Sequence, residues 1–490
     1  MATRYVSTPT ARFEIERGDR LFRKELLWGD TCRTIETSAD RTKVHARGAT
    51  GWVATSALGT KRLLEIYVID VGQGDAVLMR TPNGKWHLID GGVSNDRQMT
   101  RKGAANFLRW KFLEDLGKKK VELQNVILTH PDFDHYGGLI NVLEGFLPAA
   151  DQPARRFDVE VDTFLHSGMG RFERGAPLGA RVAGEVAAFP AGDHGIPTKG
   201  SFITELLDGK SDFATPPRPL TISFGSLASQ VAAVPASVRR LSSADGFLPG
   251  YSTGACRIRV LGPVVEQTAA GERGLRWLAD ESKTRNGHSV VLRVDYRKAR
   301  ILLTGDLNTL SQRLLLSYHD ASEFTVDVAK GCHHGSDDIH LDFVRAMGAC
   351  ATVISSGDNE DYAHPRPRVM GASARYGREA VDPDDPGGEK CPPLLYSTEL
   401  ARSVRLAYAE SISVKEAGDV LVEHAITATD PIVDPAGRDD RPRPLMQAPL
   451  AVDLIYGLVN IRTDGETILL ATMEEKGNSF DVRRIVAGSA

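Results

Sequence analysis

Four side chains able to hold a metal ion stand within six residues, in the segment Thr129-His130-Pro131-Asp132-Phe133-Asp134-His135-Tyr136-Gly137-Gly138. The segment directly follows a continuous apolar run, Val126-Ile127-Leu128. In an extended chain, residues two apart point the same way, so His130 and Asp132 converge. Asp134 and His135 fall where the chain turns into a helix, which can aim both at one further point. Burying two histidines and two aspartates with no cation to offset them is costly, and this spacing is therefore read as a metal site.

Further ligand types recur at the ends of other apolar runs. Asp306 closes Leu303-Thr304-Gly305-Asp306. An Asp in that place is often a helix cap, but one carboxylate there can also bridge two cations. His333-His334 follow the run 324–330, and the sequence does not choose between them as ligands. Asp90, in Ile89-Asp90-Gly91-Gly92, sits where a carboxylate can orient a ligand histidine. His364 precedes Pro365.

These residues need strands to carry them. Segments 64–70, 75–80 and 86–90 read as strands parted by tight turns at Gly72, Gly74 and Gly84. A helix is expected around 101–116, and another after Gly137-Gly138. Segments 289–296, 299–305, 324–330 and 351–356 read as strands, with a helix at 308–318. Strand, loop and helix with chemistry at the strand's end is α/β organisation. Residues 1–60 alternate as short strands and turns, forming a small N-terminal β-barrel-like subdomain. Residues 61–377 form the main domain. Within it, 150–280 is rich in Pro, Gly, Ser and Ala and reads as a long insertion over the site. Residues 378–490 are expected to be a small C-terminal α+β extension ending in a hairpin that turns at Asp464-Gly465.

The order D-G-G, H-x-D-x-D-H-x-G-G, N-x-x-S, T-G-D and H-H-G-S resembles the metallo-β-lactamase superfamily. Within it, the stretches 68–92, 129–138, 286–294, 301–307, 332–336 and 362–367 are most similar to the soluble hydrolase domain of the competence protein ComEC and its free-standing relatives. The similarity covers roughly 64–372. The segment 43–58 resembles the closing strands of a bacterial Src-homology-3-like barrel. The resemblance implies an αββα sandwich and two divalent metal ions, Zn²⁺ or Mn²⁺, held by His130, Asp132, Asp134, His135, Asp306, His333 or His334, and His288. Asp132 replaces the second histidine of the usual H-x-H-x-D-H, which enriches the site in oxygen and shifts preference toward harder ions. The third histidine of the family falls near Asn286 and His288, and the sequence leaves both open. His364 resembles a histidine lining the site in this branch. The implied chemistry is a phosphodiesterase or nuclease using a metal-activated water, with Asp134, Asp306 and His364 as catalytic residues and Asp90 and Asn286 supporting the ligands. The substrate is then a nucleic acid or nucleotide phosphodiester. Hydrolysis of another ester or a lactone is the alternative, and a regulatory module of a bacterial defence or DNA-processing complex, binding a partner protein through either terminal unit, is a third.

Composition bounds these readings. The chain has 490 residues and a formal charge of −4, which argues against a protein that coats nucleic acid by bulk charge. Its five cysteines are odd in number and hold no C-x-x-C pair, which points to free thiols in a reducing compartment. The first residues lack the apolar stretch of a secretory signal, and no run approaches the length of a membrane span. A cytoplasmic protein without membrane contact is expected.

Overall fold

The computed structural model describes residues 2–98, 103–147, 155–357, 364–385, 387, 390–398, 457–473 and 479–488, together with the backbone of short strands between 405 and 452. Two sheets stack face to face. The first runs, edge to edge, Ser237–Arg240, Val159–His166, Val121–Leu128, Trp86–Ile89, Val77–Arg80, Leu64–Val68, Val459–Thr463, Thr467–Met473 and Phe480–Val486. The second runs Cys256–Gly262, Val291–Tyr296, Ala299–Leu303, Val328–Lys330, Ala351–Ile354 and Leu394–Ser397.

Period-2 alternation sorts the side chains of each strand between two cores. Leu64, Ile66, Val68, Val77 and Met79 of the first sheet meet Ile258, Val260, Leu292, Val294 and Ile301 of the second. The opposite face of the first sheet, with Tyr67, Leu78, Leu88 and Val126, is covered by Leu108, Phe112, Leu139 and Phe224. The outer face of the second, with Val291, Leu302 and Ile354, is covered by Leu315, Phe343 and Val369. The layers are therefore helix, sheet, sheet, helix. Strands Trp86–Ile89, Val121–Leu128 and Val159–His166 are mutually parallel, as are Ala299–Leu303, Val328–Lys330 and Ala351–Ile354. Parallel strands bring their C-terminal ends to one edge of each sheet. Asp90, His130, Asp306, His333 and His334 all follow such ends.

Two expectations about organisation are corrected. Much of 150–280 is core. Val159–His166 pairs with Val121–Leu128 along its length, and the helix Ile222–Ala233 packs on the helix Phe133–Glu144. The part that stands apart is a four-stranded sheet of Arg181–Glu185, Lys199–Ile203, Arg273–Arg276 and Glu266–Gln267. Abundant Gly, Pro and Ala hid the strand period between them. At the other end, the hairpin turning at Asp464-Gly465 is an edge of the main sheet. Val459–Thr463 pairs antiparallel with Leu64–Val68, and Asp464 Oδ1 accepts the Glu466 and Thr467 N–H groups. A boundary at 378 thus cuts through both sheets.

Residues 3–59 form a seven-stranded antiparallel sheet with its own core of Val6, Phe13, Ile15, Leu26, Val44 and Val53. It is fastened to the main body by a buried ionic cluster. Arg462, wholly buried, donates to Asp30 Oδ1 at 2.7 Å and to Trp28 O at 2.7 Å, while Arg47 Nε donates to Asp30 Oδ2 at 2.5 Å.

Candidate metal centre

Asp90 organises the floor of the site. It holds a left-handed backbone, φ 56°, which an Asp tolerates better than most residues. That turn aims both carboxylate oxygens inward. Oδ1 accepts Thr129 N at 2.8 Å, and Oδ2 accepts Thr129 Oγ1 at 2.6 Å and His135 Nδ1 at 2.8 Å. The glycines that follow are required by contact. Gly91 N donates to His135 O and Gly138 N to Gly92 O, each at 2.8 Å. A Cβ on Gly138 would stand 1.9 Å from Gly91 O, so D-G-G and H-x-G-G are two halves of one interlocked turn.

Hydrogen bonding fixes which nitrogen each histidine offers. Thr129 Oγ1 gives its proton to Asp90, and Ser289 Oγ gives its own to Asn286 O at 2.7 Å. Both hydroxyls, 3.1 and 3.3 Å from His130 Nδ1, must therefore accept from it. His334 Nδ1 donates to Ser355 O at 3.1 Å, and His135 Nδ1 donates to Asp90. All three rings are left with Nε2 as a bare lone pair. These three Nε2 atoms and Asp306 Oδ1 are buried with no hydrogen-bond partner. Asp306 Oδ2 lies 3.0 Å from His334 Nε2, 3.3 Å from His135 Nε2 and 4.0 Å from His130 Nε2. His334 Nε2 is also 3.6 Å from Asp134 Oδ2. Acceptors facing acceptors in a water-poor interior call for a cation, and the donor set of imidazole and carboxylate fits a divalent metal ion.

Within reach of one another lie His130, His135 and Asp306; Asp134, His135 and His334; and Asp75, Asp306 and His334. His334 is thus the inward member of its pair, and the structure resolves that choice. His333 sits nearer the surface, its Nε2 3.7 Å from Asp306 Oδ2. Both residues take left-handed backbones, φ 45° and 53°, an unusual pairing that presents two adjacent rings to one centre. The ring of His364 lies 6.0 Å from that of His333 and 6.5 Å from that of His334. Tyr362 and Ala363 before it lie outside the described residues.

Two expected ligands, His288 and Asp132, have other partners, and Asn286 supports Asp132. His288 turns away, its Nε2 bonded to Arg276 O at 2.7 Å, and burial lowers its pKa; it is a satisfied core histidine. With its amide nitrogen toward Asp132, Asn286 donates to Asp132 Oδ2 at 2.8 Å and to Ser282 O at 3.3 Å. Asp132 holds the N-cap position of the helix Phe133–Glu144 without capping it. Its Oδ1 instead meets Arg285 and, at 3.2 Å, Arg171 Nη1. Asp132 enters none of the convergent groups above, although its Oδ2 is 3.7 Å from His130 Nε2.

Sequence reasoning missed several contributors. Asp75 is buried beneath the site, 3.3 Å from His334 Nδ1 and 2.5 Å from the equally buried Lys330 Nζ. Lys330 also donates to Gly331 O at 3.1 Å. Ser289 donates to Asn286 O and accepts from Asp306 N at 3.0 Å, so it ties the T-G-D turn to His130. A lysine ending an apolar strand and an Asp after the Gly72 and Gly74 turns were the available signals. Arg171 and Arg285 had none.

Burial alone would lower the pKa of His135 and His334, but Asp306 with Asp90 or Asp75 outweighs it and holds both well above 6.5. Burial would likewise raise Asp306, but the imidazoles of His334, His135 and His333 hold it well below the usual carboxylate range. Metal and protons therefore compete for the same lone pairs.

Residues 69–194 match the family model described as "Metallo-beta-lactamase superfamily". The chain carries a metallo-β-lactamase superfamily domain. Its layered architecture is consistent with the metallo-β-lactamase fold. Comparison with the curated proteins finds no match. Similar solved structures include the metallo-β-lactamase fold protein YhfI from Bacillus subtilis, with 11% identity over 64% of this chain and 93% of that one, TM-score 0.28. The metal-dependent hydrolase Tm1679 of the β-lactamase superfamily shows 14% identity over the same shares, 64% and 93%, TM-score 0.29. Zn²⁺-bound PqqB from Methylobacterium extorquens shows 11% identity over 54% of this chain and 71% of that one, TM-score 0.25. The assignment of the metallo-β-lactamase domain rests on the 69–194 match and on the layered sheets. Among the described residues, no helix is long and apolar enough to cross a membrane.

Proposed function

We propose that this chain is a metal-dependent phosphodiesterase acting on a nucleic acid or nucleotide. The observation that carries this reading is the pair of guanidiniums, Arg171 and Arg285, converging on Asp132 at the edge of the ligand cluster. Guanidinium forks match the oxygens of a phosphoryl group, which is anionic already in the ground state, whereas a neutral ester or lactone develops negative charge only in the transition state.

His135, Asp134, Asp306 and His334 would hold the metal, with Asp90 keeping His135 in the right tautomer. When bound, a divalent ion supplies a lowered pKa for water and a counter-charge for the phosphoryl oxygens. Arg171 and Arg285 orient the diester by its non-bridging oxygens. His364, against the rings of His333 and His334, hands a proton to the leaving oxygen. Lys330, bound to Asp75, keeps a positive charge under the site and so limits the net negative charge of the carboxylates around it.

The test is turnover of bis-p-nitrophenyl phosphate and of labelled single- and double-stranded DNA and RNA. Chelator-treated protein is resupplied with Mn²⁺, Mg²⁺ or Zn²⁺, beside Asp306→Ala. Metal-dependent cleavage that vanishes in the variant is expected. Metal binding with no phosphodiester cut under any condition would sink the reading and favour an ester or lactone substrate.

A further inference from the structure

The resemblance implies two ions, yet the two halves of the site are built unlike each other. The Asp134 half has two imidazole nitrogens, His135 Nε2 and His334 Nε2, within 3.3 Å and 3.0 Å of the same Asp306 oxygen. The His130 half has His130 and, nearer the surface, His333, whose Nε2 lies 3.7 Å from Asp306 Oδ2 but which belongs to none of the convergent ligand groups. His130 Nε2 is 4.0 Å from Asp306 Oδ2, the place of a third histidine is taken by Asn286, and His288 faces Arg276 O. Its remaining carboxylate is already engaged. Asp132 Oδ1 lies against Arg285 and Arg171, and Oδ2 accepts the Asn286 amide at 2.8 Å. A second cation there would have to displace Asn286 and would stand beside two guanidiniums sharing its ligand.

We infer that the chain holds one tightly bound divalent ion, in the Asp134–His135–Asp306–His334 group, and that Arg171 and Arg285, braced by Asp132, replace the other ion as a fixed positive charge for a substrate oxyanion. Asp132 is then a positioning residue. Arg285 is also tethered to Glu281 Oε1 at 3.0 Å, and its side chain keeps 13% of its surface exposed, against 27% for Arg171. Both guanidiniums are thus oriented in advance and still reachable, which is what lets an arginine fork bind an oxyanion without a large ordering cost. That the oxyanion is phosphoryl rests on the phosphodiesterase reading; the ion count does not.

The experiment uses the full chain, stripped with chelator, equilibrated with Mn²⁺ or Zn²⁺ and desalted before elemental analysis. One ion per chain is expected. Asp132→Asn and Arg285→Met should retain it, and Asp134→Asn and His334→Ala should lose it. Binding of inorganic phosphate to the metal-loaded protein, followed by calorimetry, should weaken by about tenfold or more in Arg285→Met and Arg171→Met with ion content unchanged. Arg285→Lys, which keeps the charge and loses the fork, is read beside them, and circular dichroism verifies folding. Two ions per chain in the parent protein, with one lost in Asp132→Asn, would overturn the inference. So would phosphate binding indifferent to both arginines. A chain that holds one ion and keeps it in Asp132→Asn supports the ion count whether or not it cuts a diester.

Discussion

Two buried clusters of charge sit in this molecule, and they are closed in opposite ways. Where the N-terminal sheet meets the main body, each oxygen of Asp30 has donors: Arg462 Nη1 at 2.7 Å and Arg47 Nη2 at 3.3 Å on Oδ1, Leu27 N at 2.8 Å and Arg47 Nε at 2.5 Å on Oδ2. Anion and cations come from the same chain, and the cluster fastens 30–47 to 459–463. At the centre around Asp306, bare Nε2 atoms and carboxylate oxygens face one another instead. A charge cluster completed from within serves as an anchor. One whose buried lone pairs are left without donors is a binding site, and the chain has arranged its hydrogen bonds so that those lone pairs point inward.

The sharpest way to break this contrast is to delete the central carboxylate of each cluster. Asp306→Ala should cut metal-dependent hydrolysis by about three orders of magnitude or more and abolish metal retention, read by rate and elemental analysis. Asp30→Ala should leave metal content intact but strand two guanidiniums in the interior, costing about 3–5 kcal/mol in urea unfolding and speeding amide exchange along 459–463. If Asp30→Ala lost its metal, or Asp306→Ala failed to, the two clusters would not be separable in this way.

A smaller effect is expected one bond further out. Asp90→Asn keeps the shape but weakens the hold on His135 Nδ1, and metal affinity should fall about 10–100-fold by calorimetry. An unchanged affinity would show that His135 is oriented by packing alone.

The mildest probe is pH. His135 and His334 have raised pKa values in the metal-free fold, so the stability they contribute is full below 6.5 and is lost as pH rises through the raised values. Asp306 has a depressed pKa, so its contribution is present above the ordinary value of 3.8 and lost only as pH falls through the depressed one. The metal-free Tm should therefore decline by a few degrees between about pH 6 and about pH 8, while the Tm gain from added metal grows over the same range. Asp30 carries no such histidine neighbours, and in Asp306→Ala the metal increment should vanish at every pH. A metal-free Tm that rose steadily with pH would contradict the sign.

Much of the site was legible because its parts are local. His130, Asp134 and His135 share one turn, and Asp90, Asp306 and His334 each follow an apolar strand, so type and position together announced them. The residues that could not be placed depend on distant chain. His288 is close in sequence to the expected ligand position, but its ring turns to Arg276 because the strand Arg273–Arg276 passes beside it. Asp132 reads as a ligand by spacing alone, and nothing near it in the sequence shows that Arg171, 39 residues away, and Arg285, farther still, meet its carboxylate. The hairpin at Asp464-Gly465 was read correctly as a hairpin and misplaced as a separate unit, since period-2 alternation names a strand but not its neighbour.

The layered α/β architecture and the presence of a cation-seeking cluster can be read along the chain, because alternation, glycine turns and ligand spacing are short-range properties. Folding sets which nitrogen each histidine offers, which of His333 and His334 faces inward, and which carboxylate the arginines meet. Those outcomes depend on hydrogen-bond partners such as Ser355, Ser289 and Asn286, and on guanidiniums delivered from other elements. A partner brought in by folding leaves no periodic trace in the segment it serves.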